Sequence, residues 1–142
     1  MRHRCNSAII IAAVTLTVTS CGGETESGAV TVAAKACTVA LAQEKSGQPE
    51  LEVVDNRSSA AETAANAADL DPRWSQLASA ASDWDQTTRD LFKATSNAGD
   101  LNAIQVAQLT SDASKARRDI YSECQKVRAA GGSVSTLADW NN

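Results

Sequence analysis

The chain has 142 residues, enough for one domain with a modest core, and carries 13 basic against 17 acidic residues for a formal net charge of −4. This acidic balance argues against a nucleic-acid partner and against binding to a generic anionic membrane surface, since both favour a basic face. The only histidine is His3, near the start of the chain.

The N-terminal residues have the pattern of a secretory signal peptide. Basic residues 2–4 precede about a dozen largely apolar residues, fewer than the roughly 20 that a membrane-spanning helix needs. The run ends on the motif Val18-Thr19-Ser20-Cys21, which resembles the lipobox of bacterial lipoproteins. The resemblance implies removal of residues 1–20 and attachment of a diacylglycerol to the sulfur of Cys21. An ordinary signal peptide cut elsewhere is the alternative.

Removal of the signal would change both the charge and the available chemistry. Arg2 and Arg4 leave with it, so 11 basic residues remain against 17 acidic ones, a net charge of −6. His3 leaves as well, which excludes Ser-His-Asp and Cys-His catalysis and imidazole metal ligands. We therefore expect a non-enzymatic protein with no metal and no cofactor apart from the covalent diacylglycerol on Cys21.

Two cysteines remain without an assigned role. Cys5 leaves with the signal and Cys21 carries the lipid, so Cys37 and Cys124 are left. In an oxidising, exported compartment two thiols most simply form one disulfide. A redox role is the alternative, but redox pairs usually have C-x-x-C spacing, and these two cysteines are far apart.

The folded part of the chain is expected to begin after a flexible tether. Residues 21–28, CGGETESG, are polar and rich in glycine, as flexible linkers are. A first helix follows and is expected to end near residues 45–47, where lysine and glycine supply a C-terminal signal. Its apolar face has helical spacing and consists of Val30, Ala34, Cys37 and Leu41.

A connection and an alanine-rich second helix are predicted next. Residues 48–56, QPELEVVDN, break the helical pattern with a proline and are interpreted as a connection. Ser59 and Glu62 have the spacing of a capping box, so the helix is expected to open there and to run to about Leu70. Its buried face would consist of small residues, namely Ala61, Ala64 or Ala65, and Ala68. This helix is either a fourth bundle member or a mobile flap.

Two longer helices complete the predicted fold. Asp71 followed by Pro72 indicates a helix start, and the stripe that follows is Trp74, Leu77, Ala81, Trp84, Thr88, Leu91 and Thr95, with Phe92 beside it. The last helix, about 102–130, has the stripe Leu109, Ala113, Ala116, Ile120, Cys124 and Val127 and ends at two glycines.

The predicted fold class is all-α, an antiparallel up-down bundle of three to four helices. Short connections favour this topology. The bundle would cover residues 29–131, with a C-terminal tail over 132–142. Laid antiparallel, the first and last helices bring Cys37 and Cys124 within one turn of each other, which agrees with the expected disulfide.

Three groups of residues are candidates for a site. Asp69, Asp71, Asp83 and Asp85 suggest calcium, but a calcium loop needs oxygens that converge from a turn, so capping and a solvated acidic face are favoured. Trp74, Trp84 and Phe92 belong either to the core or to a pocket between helices. Trp140 lies beyond the glycine stop and either folds back onto the bundle or contacts a partner.

At the level of families, the chain resembles the small helical lipoproteins and secreted proteins of actinobacteria. The features are the lipobox, a cysteine in the first helix, an alanine-rich middle, the D-P-x-W helix start at 71–74, the A-G-D turn at 98–100 and a cysteine near the end of the last helix. The resemblance implies a fold and a location outside the cytoplasmic membrane. It brings no catalytic residues.

Two functions are consistent with the sequence. The first is a lipid-anchored envelope protein that faces the extracytoplasmic side and presents an interaction surface to another envelope component. The second is a carrier that holds a small apolar ligand or lipid between its helices, near Trp74, Trp84, Leu91 and Phe92. A partner-binding protein should have an exposed apolar patch, and a carrier should have an internal cavity.

The lipobox interpretation predicts the effect of one substitution. Cys21→Ser removes the acceptor sulfur, so the variant should move from the membrane fraction to the soluble exported fraction, because stable attachment needs the acyl chains. Cell fractionation with detection of the protein measures this. A variant that stays in the membrane fraction unchanged would refute the lipobox.

Overall fold

The computed structural model describes residues 23–42, 50–96 and 103–134, and over these ranges the chain is helical with no strand. Four α-helices and one short 3₁₀ helix follow one another, as α1 Gly23–Ala40, α2 Glu50–Leu70, the 3₁₀ helix Pro72–Trp74, α3 Ser75–Ser96 and α4 Ala103–Ala129. The all-α prediction is confirmed.

Helix α1 differs from its predicted bounds at both ends. It begins at Gly23, so residues 23–28 continue the helix where a tether was expected. The helix ends at Ala40, earlier than the predicted 45–47, and residues 43–49 lie outside the described ranges.

Helix α2 is longer than its predicted extent. It begins at Glu50, so the expected connection over 48–56 is wrong from that residue onward. The predicted capping box is wrong too, because Ser59 lies inside the helix and its carbonyl accepts a hydrogen bond from Thr63 Oγ1 at 2.7 Å. The proline at 49 comes before the first residue of α2 in the sequence and lies outside the described residues.

The alanine-rich half of α2 is a full member of the bundle. Ala60, Ala64 and Ala67 are buried, Ala61 and Ala68 are half-buried, and Ala65 is exposed. The prediction is therefore confirmed at Ala64, whereas the rest of the buried face lies one residue earlier than expected, at Ala60 and Ala67 in place of Ala61 and Ala68. Small side chains let α2 pack closely against its neighbours.

The start of α3 follows the prediction. Asp71 Oδ1 accepts a hydrogen bond from the backbone N–H of Arg73 at 3.0 Å, and Pro72 occupies the first turn. The predicted stripe is buried through Trp84, while Thr88, Leu91 and Phe92 are only half-buried. The apolar stripe of α3 is therefore less deeply buried in the second half of the helix than in the first.

Helix α4 ends at two glycines, as predicted. Gly131 has φ of +92° and donates to the carbonyl of Arg128, and Gly132 donates to the carbonyl of Val127, both at 3.0 Å. These two bonds form a Schellman motif, in which a residue with positive φ favours glycine. The chain then turns toward α1, and Val134 is only 7% exposed in the core cluster. The bundle contacts thus extend past the predicted boundary at 131.

Each helix packs antiparallel against the next, and α4 returns to α1, so that the four helices form an up-down bundle. The disulfide between Cys37 and Cys124 joins the first helix to the last, with their Cα atoms 5.5 Å apart. The prediction of this disulfide is confirmed. The core around it includes Leu41, Leu77, Ile120 and Val127, which are all fully buried.

The position of the disulfide makes the bundle staggered. Only three residues of α1 follow Cys37, whereas 21 residues of α4 precede Cys124. At 1.5 Å per residue, α4 therefore extends about 27 Å past the end of α1. Residues 103–115, named here the α4 extension, lie beside α3 without support from α1.

The disulfide should contribute strongly to stability. It spans a sequence separation of 87 residues. In the chain-entropy model its removal costs about 4–5 kcal/mol. Replacement of both cysteines by alanine should lower the free energy of unfolding by this amount, as measured by urea denaturation.

Reduction of the wild-type protein serves as the control, since it should produce a similar loss while the double variant should not respond to reductant. Equal stability of the oxidised and reduced wild type would contradict the prediction.

Candidate functional site

The structure places the predicted aromatic residues in different environments. Trp74 and Trp84 are buried and belong to the core cluster, and Phe92 is half-buried on α3. Each indole ring also lies under an arginine guanidinium, Arg73 for Trp74 and Arg57 for Trp84. The indole N–H of Trp74 has no hydrogen-bond partner among the described residues. Cys21 and Trp140 lie outside the described ranges.

A buried arginine is the residue that sequence reasoning missed. Arg57 on α2 is 6% exposed, and its guanidinium lies 3.9 Å from the ring centroid of Trp84. Its Nη1 also donates to the carbonyl of Ala40, the last residue of α1. Arg57 therefore satisfies an open carbonyl at the C-terminus of α1, where a cation is favoured by the helix dipole, and stacks on α3.

Three polar side chains, Ser58, Asp85 and Arg89, form a hydrogen-bonded cluster between α2 and α3, in which Ser58 and Asp85 are next in sequence to Arg57 and Trp84. Asp85 Oδ2 pairs with Arg89 Nε at 3.1 Å, and Ser58 Oγ donates to Asp85 Oδ1 at 2.9 Å. Arg89 Nη2 in turn donates to Ser58 Oγ. The carboxylate of Asp85 is thus neutralised by a cation on its own helix, and it links α2 to α3.

The four aspartates of the calcium hypothesis are not brought together. Asp71 caps α3, Asp85 binds Arg89, Asp69 is exposed on α2 and Asp83 lines a cleft between α3 and α4. Fourteen helical residues separate Asp71 from Asp85, or about 20 Å. In the described ranges no group of three or more His, Cys, Asp or Glu residues is arranged to hold a metal ion.

The cleft between α3 and α4 has a volume of about 250 Å³ and is polar. Its carboxylates Asp119 and Glu123 bind Lys115 and Lys126 at 3.0 and 2.6 Å. The hydrogen bond that Lys115 Nζ donates to Asp119 raises the pKa of Lys115 above its usual value. Since lysines on the same helix balance these carboxylates, the cleft has the character of a solvated, ion-paired surface.

The α4 extension exposes large apolar side chains on a stretch that has no charged residue. Ile104 is 81% exposed and Val106 is 41% exposed, whereas Leu109 and Ala113 are half-buried. Residues 103–111 contain no charged residue, although 21% of the chain is charged. Exposed helix surfaces normally carry charges, and depletion of charge is typical of the centre of protein interfaces.

A second surface lies at the junction of α1 and the end of α4. This cleft, named here the α1 cleft, has a volume of about 410 Å³. Half-buried Val30 and Val39 and buried Ala34 form its apolar part, and exposed Lys35 lies among them. Gly131, Gly132 and Ser133 form the opposite side, where the chain leaves α4.

Neither the fold nor these surfaces can be traced to a known protein by similarity. Comparisons with protein-family models, with curated proteins and with solved structures found no match to this chain. Among the described helices, none combines the length and the apolar character that crossing a bilayer requires. The molecule is thus defined by its own geometry, as a disulfide-linked four-helix bundle with one uncharged, exposed helical end.

The buried arginine gives a direct stability prediction. Arg57→Ala removes a charged hydrogen bond and a desolvated cation–π contact and leaves the Ala40 carbonyl unpaired, so it should lower the free energy of unfolding by about 3 kcal/mol. Arg57→Lys should recover only part of this loss, because lysine lacks the planar group that stacks.

Arg73→Ala is the matched control. Arg73 stacks on Trp74 at 4.9 Å, but its side chain is 38% exposed. Its loss should therefore remain below about 1 kcal/mol. Urea denaturation of the three variants compares them, and equal losses for Arg57 and Arg73 would contradict the role assigned to Arg57.

Proposed function

We propose that this protein is a non-enzymatic, lipid-anchored envelope protein that contacts another envelope component through the α4 extension. The observation that carries the proposal is the exposed, uncharged stretch 103–111. Ile104 and Val106 supply apolar area there. A partner of matching chemistry would be an apolar, uncharged surface such as the face of a helix.

The location of this surface supports the anchored arrangement. Fourteen residues of α1 precede Cys37, and 21 residues of α4 precede Cys124, on antiparallel helices that meet at the disulfide. Ala103 is therefore about 50 Å from Gly23 along the bundle axis. A lipid on Cys21 would hold one end of the bundle at the membrane and direct the α4 extension away from it.

The stagger explains why this surface has an open side. In a bundle of equal helices, α1 would lie beside the whole of α4, but it ends after Ala40. A helix of another protein, placed in line with α1, would lie beside the uncharged stretch 103–111. Binding there would bury apolar side chains without requiring new charge pairs.

The carrier hypothesis draws less support from the geometry. It relied on space around Trp74 and Trp84, and both side chains are buried in the core cluster. The two clefts described above open to solvent, and neither is lined by these tryptophans. The envelope-contact function is therefore the one that we propose.

The proposed function predicts the effect of charges on the α4 extension. The double variant Ile104→Lys, Val106→Lys should lose a co-extracted protein, because partner binding would bury both new charges. Both positions are exposed, so the free energy of unfolding should change by less than about 1 kcal/mol. Native mass spectrometry of protein gently extracted from its own envelope measures the retained mass.

Leu70→Lys is the matched control, since Leu70 is 54% exposed but lies at the end of α2. It should retain the partner. A double variant that retains the same protein would refute the surface, and a wild type that carries only a small molecule would favour the carrier function.

A further inference from the structure

The α1 cleft is an apolar depression with no described side chain filling it. Its floor is one stripe of α1, in which Val30, Ala34 and Thr38 follow at helical spacing, with Lys35 and Val39 beside them. Val30 and Val39 also pack against the core cluster. The stripe is about 14 Å long from Val30 to Val39.

The chain itself passes closely along the edge of this cleft. A Cβ atom at Gly132 would lie 2.7 Å from Val127 Cγ1 and 2.9 Å from the Val127 carbonyl oxygen on α4, and 3.2 Å from Ala34 Cβ on α1, so glycine lets the chain pass closely between the two helices. Two residues later Val134 is buried in the core cluster. The chain beyond α4 therefore does not leave for solvent at once but remains packed against α1 at the mouth of the cleft.

The residues that follow have the composition that the cleft would accept. Segment 135–142, STLADWNN, contains two large apolar residues, Leu137 and Trp140, and a single charge, Asp139. Six residues separate Val134 from Trp140, a reach of about 20 Å that exceeds the length of the stripe. Lys35 makes no salt bridge with the described residues, and its ammonium would complement Asp139.

We propose that the α1 cleft is the docking site of the chain's own segment 135–142, with Trp140 as its apolar anchor and Asp139 paired with Lys35. The observations behind this inference are the cleft, the tight passage at Gly132 and the burial of Val134. An external partner would then reach the cleft only by displacing this segment. The inference does not depend on the function proposed for the α4 extension.

The test follows Trp140 in the full chain labelled with 5-fluorotryptophan. Fluorine NMR resolves the three tryptophans, Trp140→Phe identifies the signal of Trp140, and the change of that signal between H₂O and D₂O reports its exposure. The expected result is a shielded Trp140 in the wild type. Lys35→Glu and Asp139→Lys should each lower the ratio of docked to free segment about two- to fivefold, the range for an exposed ion pair.

The double variant Lys35→Glu, Asp139→Lys exchanges the two charges and should restore the wild-type signal. If the single variants acted by misfolding, the double variant would not restore the signal. Lys93→Glu is the matched control, because Lys93 is exposed on α3 outside the cleft, and it should leave Trp140 unchanged. A Trp140 signal as exposed as free fluorotryptophan would overturn the proposal. A shielded signal lost on dilution would also overturn it, because the occupant would then be a second copy.

Discussion

The covalent bond between Cys37 and Cys124 is the constraint on which the rest of this architecture depends. It fixes the level at which α1 meets α4, and it lies near the C-terminus of each helix. Because the two helices run in opposite directions, this placement forces a stagger. The stagger leaves the first half of α4 beyond the reach of α1, and the uncharged stretch 103–111 lies there.

The core that surrounds the disulfide consists largely of alanines. They allow close packing of helices but bury little apolar area per residue, so the hydrophobic contribution of each is small. Two groups of larger side chains add to the stability that the alanines supply. Trp74 and Trp84 fill space that alanines leave, and Arg57 joins three helices by stacking on Trp84 while it binds the last carbonyl of α1.

The two ends of the bundle have different chemistry. At one end, α1 begins two residues after Cys21, the residue expected to carry the lipid. At the other end, the α4 extension exposes Ile104 and Val106 on an uncharged stretch. Along the sides, acidic residues pair with lysines and arginines of the same helix. The start of α1 and the α4 extension thus lie at opposite ends of the bundle.

The sequence by itself determined the helical class, the antiparallel order, the disulfide and the start of α3, since periodicity, Asp71–Pro72 and two cysteines are local signals. The length of α2 was missed because the proline at 49 was taken as a break and the spacing of Ser59 and Glu62 imitates a capping box, although both residues lie inside the helix. The α4 extension was missed for a different reason. Leu109 and Ala113 have core spacing, and only the tertiary structure decides that α1 ends too early to cover that half of the helix.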